Sequence, residues 1–136
     1  MTLDELIAGA TARIHRYLPA EAQAAAEHGA ALVDIRSGES RRRFGVIPGA
    51  VHVPRTVLEW RVASEQWCNP ALVGERLILV CDQGYSSALA AATLVNLGRD
   101  CGDVVGGFDA WLAAGLPVAE APEDEDTGLP GMGQPD

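Results

Sequence analysis

The sequence contains no lysine, and arginine supplies all ten of its basic side chains. Without lysine, the chain has no amine for Schiff-base catalysis and cannot form a Walker-type phosphate loop. The arginines also form no basic stripe that would neutralise a nucleic-acid backbone, which disfavours binding to DNA or RNA. The composition thus excludes several common kinds of catalytic and binding site.

Cysteine and histidine are also scarce, with three of each in 136 residues. Their spacing matches neither a disulfide framework nor a metal site, so we expect no bound metal. No apolar run reaches the roughly 18 residues that suggest a membrane-spanning helix. The amino terminus carries Asp4 and Glu5 and lacks the basic start of a secretory signal. We therefore expect a cytoplasmic protein that does not bind membranes.

The net charge of −9 is concentrated at the C-terminal end, where residues 120–136 hold six acids and no base. Proline and glycine are also frequent there, and this composition is typical of a disordered tail. An apolar content of 48% is enough to fill one hydrophobic core. We therefore predict a helical extension over residues 1–18, one domain over residues 19–119 and an acidic tail over residues 120–136.

Short apolar strands alternate with helices along the predicted domain. The patterns predict strands over residues 31–36, 51–53, 77–81 and 103–105, and helices over residues 3–14, 19–28, 55–66, 86–97 and 108–114. Strands that are apolar throughout are typical of a parallel sheet covered by helices on both faces. The fold class is therefore predicted to be α/β.

Cys81 stands at the end of the most continuous apolar strand. In an open parallel sheet, ligands bind beyond the carboxyl ends of the strands. Gly84 permits a tight turn into the next helix, and such a loop can direct its N–H groups inward as an anion-binding nest. The helix then adds its positive N-terminal pole, so we expect the pKa of Cys81 to lie below roughly 8.5. The alternative is a small buried apolar residue without chemistry.

Four separated stretches resemble the motifs of single-domain rhodaneses, a family of sulfurtransferases. They are Leu-Val-Asp-Ile-Arg at 32–36, Gly-Val-Ile-Pro-Gly-Ala-Val-His-Val-Pro at 45–54, Val-Cys-Asp-Gln-Gly-Tyr-Ser-Ser at 80–87 and Gly-Gly-Phe-Asp-Ala-Trp at 106–111. Each stretch alone is weak evidence, but their order and spacing together are specific. The resemblance implies a three-layer fold, with a mostly parallel five-stranded sheet between helices on both faces.

The resemblance also implies an activity. In such enzymes the loop cysteine takes a sulfane sulfur from a donor such as thiosulfate and passes it to cyanide or a thiol. Cys81 would then be catalytic, with its persulfide as a covalent intermediate and no further cofactor. The implied partners are a small sulfur donor, a cyanide or thiol acceptor, and a protein that accepts sulfur. The implied substrate-binding and persulfide-binding loop consists of Asp82, Gln83, Gly84, Tyr85, Ser86 and Ser87.

Two loop positions depart from the family pattern. Many single-domain members carry arginine where this chain has Ser86, and members that prefer thiosulfate carry cations where it has Asp82. The loop therefore offers no cationic side chain to a dianionic donor, and Asp82 would repel one. A persulfide-carrying or regulatory binding module with little thiosulfate turnover thus stays open. A phosphatase is disfavoured, because the loop is short and lacks an arginine to close around phosphate.

Two arginines outside the loop are candidate anion contacts. Arg55 could supply the missing cation, since its fork suits oxyanions, and a surface arginine is the alternative. Arg36 could do the same or could form a structural ion pair with Asp34. His52 is predicted to be structural, as are the core residues Phe108 and Trp111.

Three further features have no assigned role in the chemistry. The run Arg41-Arg42-Arg43 is interpreted as a solvated face, with a docking patch for an acidic partner or for the acidic tail as the alternative. Cys68 and Cys101 are predicted to be structural thiols. A resolving role for either would require proximity to Cys81, which spacing in the sequence does not provide.

Overall fold

The computed structural model describes residues 1–123. Within this range the helices are α1 (Leu3–Ala12), α2 (Pro19–Glu27), α3 (Gly38–Phe44), α4 (Leu58–Ala63), α5 (Ser86–Asn96) and α6 (Gly107–Ala113). The strands are β1 (His15–Tyr17), β2 (Ala31–Asp34), β3 (Val51–His52), β4 (Leu77–Val80) and β5 (Cys101–Val104). Two short 3-10 turns, Arg55–Val57 and Pro70–Leu72, connect β3 to β4 together with α4.

The strands form one sheet in the order β1-β5-β4-β2-β3, and each pair is parallel. The family resemblance predicted a mostly parallel sheet, and in the described residues it is wholly parallel. The chain builds outward from β2 to β3, returns to β4 in the centre and then builds the other half through β5. The carboxyl ends of β2 and β4 therefore flank a point where the winding direction reverses, which is where open α/β sheets bind ligands.

Alternation along β4 divides the core into two layers, because successive side chains of a strand face opposite sides of the sheet. Leu77 and Leu79 pack with residues of α4 and α5, and Cys81 continues this face beyond the strand. Ile78 and Val80 pack on the other face with residues of α2 and α6. All four residues of β4 are fully buried, as expected for a strand with helices on both sides.

The strand β1 is the element of the sheet that the sequence pattern does not predict. Its residues are His15, Arg16 and Tyr17, which show no apolar run, and they lie within the segment predicted as a helical extension. Pairing with β5 stabilises the extended conformation of this segment: Gly102 and Asp103 lie in register with His15 and Arg16. Tertiary pairing thus decides the conformation of a polar edge segment whose own propensity is weak.

The remaining predicted elements agree with the structure except between residues 37 and 66 and at β5, which begins at Cys101 rather than at Asp103. Residues 38–44, where no element is predicted, form α3, with the Ser37 hydroxyl capping the amide of Ser40 at 3.1 Å. The helix predicted over residues 55–66 is a 3-10 turn followed by the shorter α4. In the described part of the chain, no helix is long and apolar enough to cross a membrane. Of the predicted acidic tail, residues 124–136 lie outside the described residues.

Gly102 provides a test of the β1–β5 contact. A Cβ atom at this position would collide with the His15 carbonyl oxygen, so Gly102→Ala should force the two strands apart. We expect the free energy of unfolding to fall by about 1–3 kcal/mol. Gly9→Ala in α1 is the matched control, because nothing lies within 4 Å of its added Cβ. This control should raise the unfolding free energy by about 0.5–1 kcal/mol. Urea denaturation measures both, and equal stability of Gly102→Ala and wild type would contradict the packing.

Candidate active site at the carboxyl end of the central strand

The loop that follows β4 folds back on the thiol of Cys81. Gly84 adopts a φ of 88°, in the left-handed region that favours glycine, and this turn directs its amide at Cys81. The Gly84 N–H donates to the Cys81 Sγ over 3.0 Å. The helix α5 begins two residues later, so its amino-terminal pole also faces the sulfur. The loop thus forms the tight turn with an inward-facing amide that the sequence predicts.

The backbone of Gly106 and Gly107 packs directly against this loop. A Cβ atom at Gly84 would lie 2.7 Å from the Gly106 nitrogen, and a Cβ atom at Gly107 would collide with the Cys81 carbonyl oxygen. The Phe108 amide donates to that carbonyl over 2.8 Å. The late Gly-Gly stretch therefore holds the loop in place from behind, while the ring of Phe108 packs in the core.

The Cys81 side chain is almost fully enclosed, with 5% of the residue exposed. Its Sγ lies 3.3 Å from the Ser87 Oγ, where a neutral thiol donates to the hydroxyl oxygen. Burial alone raises the pKa of Cys81, but hydrogen bonds from Ser87, Ser86 and the Gly84 amide together lower it below its ordinary value. The site therefore makes the thiol more acidic than an ordinary cysteine, in the direction expected from the loop and the helix pole.

An ion pair between the fully buried Asp103 and the partly exposed Arg16 lies beneath the thiol. The Ser87 hydroxyl donates to the Asp103 Oδ2 over 2.7 Å, and both residues are completely buried. Arg16 donates to both oxygens of Asp103, over 2.9 and 3.0 Å. The same guanidinium donates to the Gly84 carbonyl over 2.9 Å and so also binds the loop backbone. The result is a continuous chain of contacts from Cys81 through Ser87 and Asp103 to Arg16.

Sequence reasoning missed both members of this ion pair. Arg16 lies on β1, which the sequence pattern does not predict, and Asp103 was placed at the start of a strand that in fact begins at Cys101. One signal was available. An aspartate followed directly by Val104 and Val105 in a short apolar strand is expected to need a buried cationic or hydrogen-bonding partner.

Arg36, a candidate anion contact, is held inside the protein. Its guanidinium is completely buried, donates to the Asp34 carboxylate and to the Gly45 carbonyl, and stacks 3.9 Å from the ring centroid of Phe108. Burial alone would raise the pKa of Asp34, but the arginines Arg36 and Arg41 lower it. The Nε and Nη2 donors of Arg36 thus serve internal acceptors, as in the structural ion pair with Asp34 that is the alternative to an anion contact.

Arg55, the other candidate, follows β3 and pairs with Glu59 rather than with the loop. Its Nη1 donates to the Glu59 carboxylate over 2.8 Å, and 39% of its side chain is exposed. A pair in which both side chains are partly exposed is weak, so Arg55 could exchange partners at little cost. The His52 Nε2 lies 2.8 Å from the Arg36 carbonyl oxygen, which fits the structural role predicted for this histidine.

The outer residues of the loop face solvent. Asp82, Gln83 and Ser86 are exposed, and Tyr85 is 75% exposed, so its side chain lies mostly in solvent. The Gln83 amide contacts the Asp109 carboxylate over 3.3 Å. Positive charge at the thiol therefore comes from backbone amides, from the α5 pole and from the partly buried Arg16.

The two other cysteines lie away from Cys81. Cys101 pairs in register with Leu77, four residues before Cys81, which places them roughly 13 Å apart along the sheet. This exceeds the span of a disulfide. Cys68 contacts Val62 and Asn69 between α4 and the second 3-10 turn. The Val62 carbonyl that accepts from Cys68 also accepts from Arg99, which precedes β5, so Cys68 lies toward the amino end of the sheet, opposite Cys81. All three thiols are free.

The comparisons with known proteins agree with this geometry. Residues 18–114 match the family model of the Rhodanese-like domain, so the chain belongs to the rhodanese-like family. The sequence is 37% identical over 99 residues to the thiosulfate sulfurtransferase GlpE of Pseudomonas savastanoi pv. phaseolicola, covering 72% of this chain and 87% of that protein. The resemblance inferred from the four motif stretches is therefore confirmed, and the relatives support sulfurtransferase activity.

Solved structures show the same fold. The fold is similar to that of a protein of unknown function from Rhodopseudomonas palustris, described as a possible tyrosine phosphatase. The TM-score is 0.80 at 27% identity, covering 87% of this chain and 94% of that one. A rhodanese-like domain protein from Staphylococcus aureus has a TM-score of 0.61 at 25% identity, covering 79% of this chain and 100% of that one. The predicted rhodanese-like α/β fold is confirmed.

Selective alkylation tests the environment of the thiol. Iodoacetamide should modify Cys81 well before Cys101 at neutral pH, because only thiolates react. The pKa of Cys81 is lowered by its hydrogen bonds, whereas burial, with a smaller contribution from Asp103, raises that of Cys101 to about 12. Mass mapping of the modified peptides measures the order, and Cys81→Ser should remove the early modification. Modification of Cys101 first in folded protein would contradict this account.

Proposed function

We propose that the protein transfers a sulfane sulfur through a persulfide on Cys81. The observation that carries this proposal is the geometry around the Cys81 sulfur. A thiol that favours ionisation lies at the base of an amide-lined loop, 3.0 Å from the Gly84 nitrogen. The rhodanese-like family model and the thiosulfate sulfurtransferase relatives support the same chemistry. No metal or organic cofactor is needed, because the cysteine itself carries the transferred group.

In the first half-reaction, the Cys81 thiolate attacks the outer sulfur of the donor. With thiosulfate, the S–S bond of the donor breaks and sulfite leaves with the bonding electron pair. The new S–S bond links Cys81 to the transferred sulfur, whose negative charge then lies among the amides of residues 82–86. The amino-terminal pole of α5 stabilises that charge in addition. These fixed dipoles need no rearrangement when the charge arrives.

In the second half-reaction, a nucleophile attacks the outer sulfur. Cyanide or a thiolate forms the new bond, the persulfide bond breaks, and the electron pair returns to Cys81 as thiolate. The pKa-lowering hydrogen bonds from Ser87, Ser86 and Gly84 make Cys81 a better leaving group in this step. We propose that the acceptors are small thiols, cyanide or a protein thiol. The three free cysteines fit a reducing compartment such as the cytoplasm.

A second candidate function is a persulfide carrier with little thiosulfate turnover. The observation that favours it is the charge of the loop: its only ionisable carboxylate is Asp82, and it has no cationic side chain. Arg55 is paired with Glu59 rather than with the loop. A donor with fewer negative charges, such as a persulfide, would enter with less repulsion than thiosulfate. Both candidates use the same Cys81 persulfide and differ in the donor.

Phosphate transfer is not supported by this loop, although a structural relative is described as a possible tyrosine phosphatase. A phosphoryl group needs a cationic clamp on its oxygens, usually an arginine fork. The loop has Ser86 where such an arginine would stand. Hydrolysis of p-nitrophenyl phosphate is therefore measured beside sulfur transfer in the following test.

Replacement of Cys81 tests the covalent step. Cys81→Ser should abolish cyanide-dependent sulfur transfer, and intact mass after exposure to a sulfane donor should show no added sulfur atom. Wild type should gain one sulfur that a reductant removes, and Cys68→Ser should behave like wild type because Cys68 lies away from the site. Undiminished transfer in Cys81→Ser, or phosphatase turnover without sulfur loading in wild type, would overturn the proposal.

Replacement of Asp82 tests the choice of donor. Asp82→Asn should raise kcat/KM for dianionic thiosulfate by roughly two- to tenfold, because it removes a like charge at the mouth of the site. The gain should be smaller for benzenethiosulfonate, which carries one charge, and should shrink as salt is added. Steady-state kinetics with both donors measures these effects. An equal change for the two donors at all ionic strengths would show that the charge of Asp82 does not select the donor.

A further inference from the structure

The Ser87 hydroxyl lies between two groups that both require its proton. Its Oγ is 3.3 Å from the Cys81 Sγ and 2.7 Å from the Asp103 Oδ2. A hydroxyl has one hydrogen to donate and lone pairs to accept. Ser87 and Asp103 are both completely buried, so water cannot replace either contact without entering the core. Only one of the two neighbours can receive the proton at any time.

The ionisation state of Cys81 decides which neighbour should receive it. A neutral thiol donates its own proton to the Ser87 oxygen, and Ser87 can then donate to Asp103. A thiolate has no proton and can only accept, so the Ser87 lone pairs would face a negative charge unless the hydroxyl turns toward the sulfur. When the hydroxyl turns, Asp103 loses a hydrogen bond inside the core. Stabilising the thiolate through Ser87 therefore has an energetic cost at Asp103.

Arg16 sets the size of that cost. Its guanidinium donates to both Asp103 oxygens, so the carboxylate keeps two charged contacts when Ser87 turns away. The charges of Arg16 and Cys81 also act on each other, as the thiolate contributes to the raised pKa of Arg16 after the larger effects of Asp103 and burial. The bond from Arg16 to the Gly84 carbonyl links this pair to the loop that donates to the sulfur.

The other charged groups near the thiol are engaged elsewhere or exposed to solvent. Those at the carboxyl edge of the sheet are Asp82 in the loop, Asp109 at the start of α6, Arg36 after β2, and Arg55 with Glu59 after β3. Asp82 is exposed, Asp109 contacts Gln83, Arg36 binds Asp34, and Arg55 pairs with Glu59. Asp103 is the carboxylate that shares a hydrogen-bond donor with the sulfur.

We propose that Asp103 and Arg16 are positioning residues for sulfur transfer, which act on Cys81 through the Ser87 hydroxyl. Asp103 competes with the thiolate for the hydrogen bond from Ser87. Arg16 pairs with Asp103 and so weakens the hydrogen bond between Asp103 and Ser87. The thiolate is thereby left less stabilised and more nucleophilic than the loop alone would make it. The proton of the thiol itself leaves to solvent, because the carboxylate remains paired with Arg16.

The competition for the Ser87 proton differs between the free thiolate and the sulfur-loaded form of Cys81. Once Cys81 carries a second sulfur, its own Sγ is uncharged, and the negative charge lies on the outer sulfur among the loop amides. Ser87 then no longer needs to face the sulfur and can donate to Asp103 again. The network therefore favours the loaded state over the free thiolate. This consequence rests on the proposed persulfide, whereas the effect on thiol ionisation does not.

The test is a double-mutant cycle on the ionisation of Cys81. The alkylation rate of Cys81 by iodoacetamide is measured against pH in wild type, Asp103→Asn, Ser87→Ala and the double variant. Asp103→Asn should lower the pKa of Cys81, because the asparagine amide can donate to Ser87 and leaves the hydroxyl proton for the sulfur. At a pH below the midpoint, alkylation should rise about threefold or more. Ser87→Ala should slow it, and in that background the effect of Asp103→Asn should largely disappear.

An unchanged midpoint in Asp103→Asn would overturn the proposal. So would an equal shift with and without Ser87, because Asp103 would then act through its charge alone. No sulfur donor is used in this measurement, so its outcome is independent of whether the persulfide forms. Failure of persulfide formation in wild type, seen by intact mass, would instead overturn the proposed function and leave the ionisation result intact.

Variants of Arg16 test whether the effect of Asp103→Asn arises from a general loss of structure at the site. The Arg16 side chain is 29% exposed on an edge strand, so its replacement should be tolerated better than replacement of a core residue. Arg16→Met should raise the pKa of Cys81 and slow alkylation, opposite in sign to Asp103→Asn, whereas Arg16→Lys should stay close to wild type. General loosening of the site would move both residues' variants in one direction. If Arg16→Met and Asp103→Asn shift the pKa of Cys81 in the same direction while both variants keep native melting curves, the network is refuted.

Discussion

The contact between two stretches of bare backbone, Gly84 in the loop and Gly106–Gly107 before α6, determines the form of this site. There is no room for a Cβ atom at Gly84 or Gly107, and the Phe108 amide fixes the Cys81 carbonyl from behind. Because the carbonyl is held on one side, the Gly84 amide can reach the sulfur on the other. The lowered pKa of Cys81 and the amide-lined loop both depend on this contact, which joins two motifs more than twenty residues apart in sequence.

Positive potential reaches the sulfur without a cationic side chain in the loop. Backbone dipoles and the α5 pole supply most of it, and the guanidinium of Arg16 lies behind the thiol rather than at the mouth of the site. On the proposed mechanism, a charge in that position would act mainly on the sulfur bound to Cys81. Asp82 at the surface would act mainly on an arriving donor.

The motifs were sufficient to predict the loop, Cys81 and four of the strands, because these features depend on local pattern and on spacing. The edge strand β1 was not predicted, since His15, Arg16 and Tyr17 become a strand only by pairing with β5. The Arg16–Asp103 pair was missed for the same reason: the partners lie 87 positions apart. The motifs indicate Arg36 and Arg55 instead, because Arg36 ends one motif and Arg55 follows another. Nearness in sequence does not show which acceptors a side chain reaches in the fold.

The separation of Cys81 from the other two thiols has a consequence for the lifetime of the loaded protein. An enzyme with a second cysteine nearby can discharge its sulfur into an internal disulfide, at a rate set by its own geometry. Here Cys101 lies at the opposite end of the adjacent strand, beyond the span of a disulfide. On the proposed mechanism, sulfur on Cys81 would therefore leave in an encounter with another molecule. The supply of acceptor, rather than the geometry of the protein, would then set the lifetime of the persulfide.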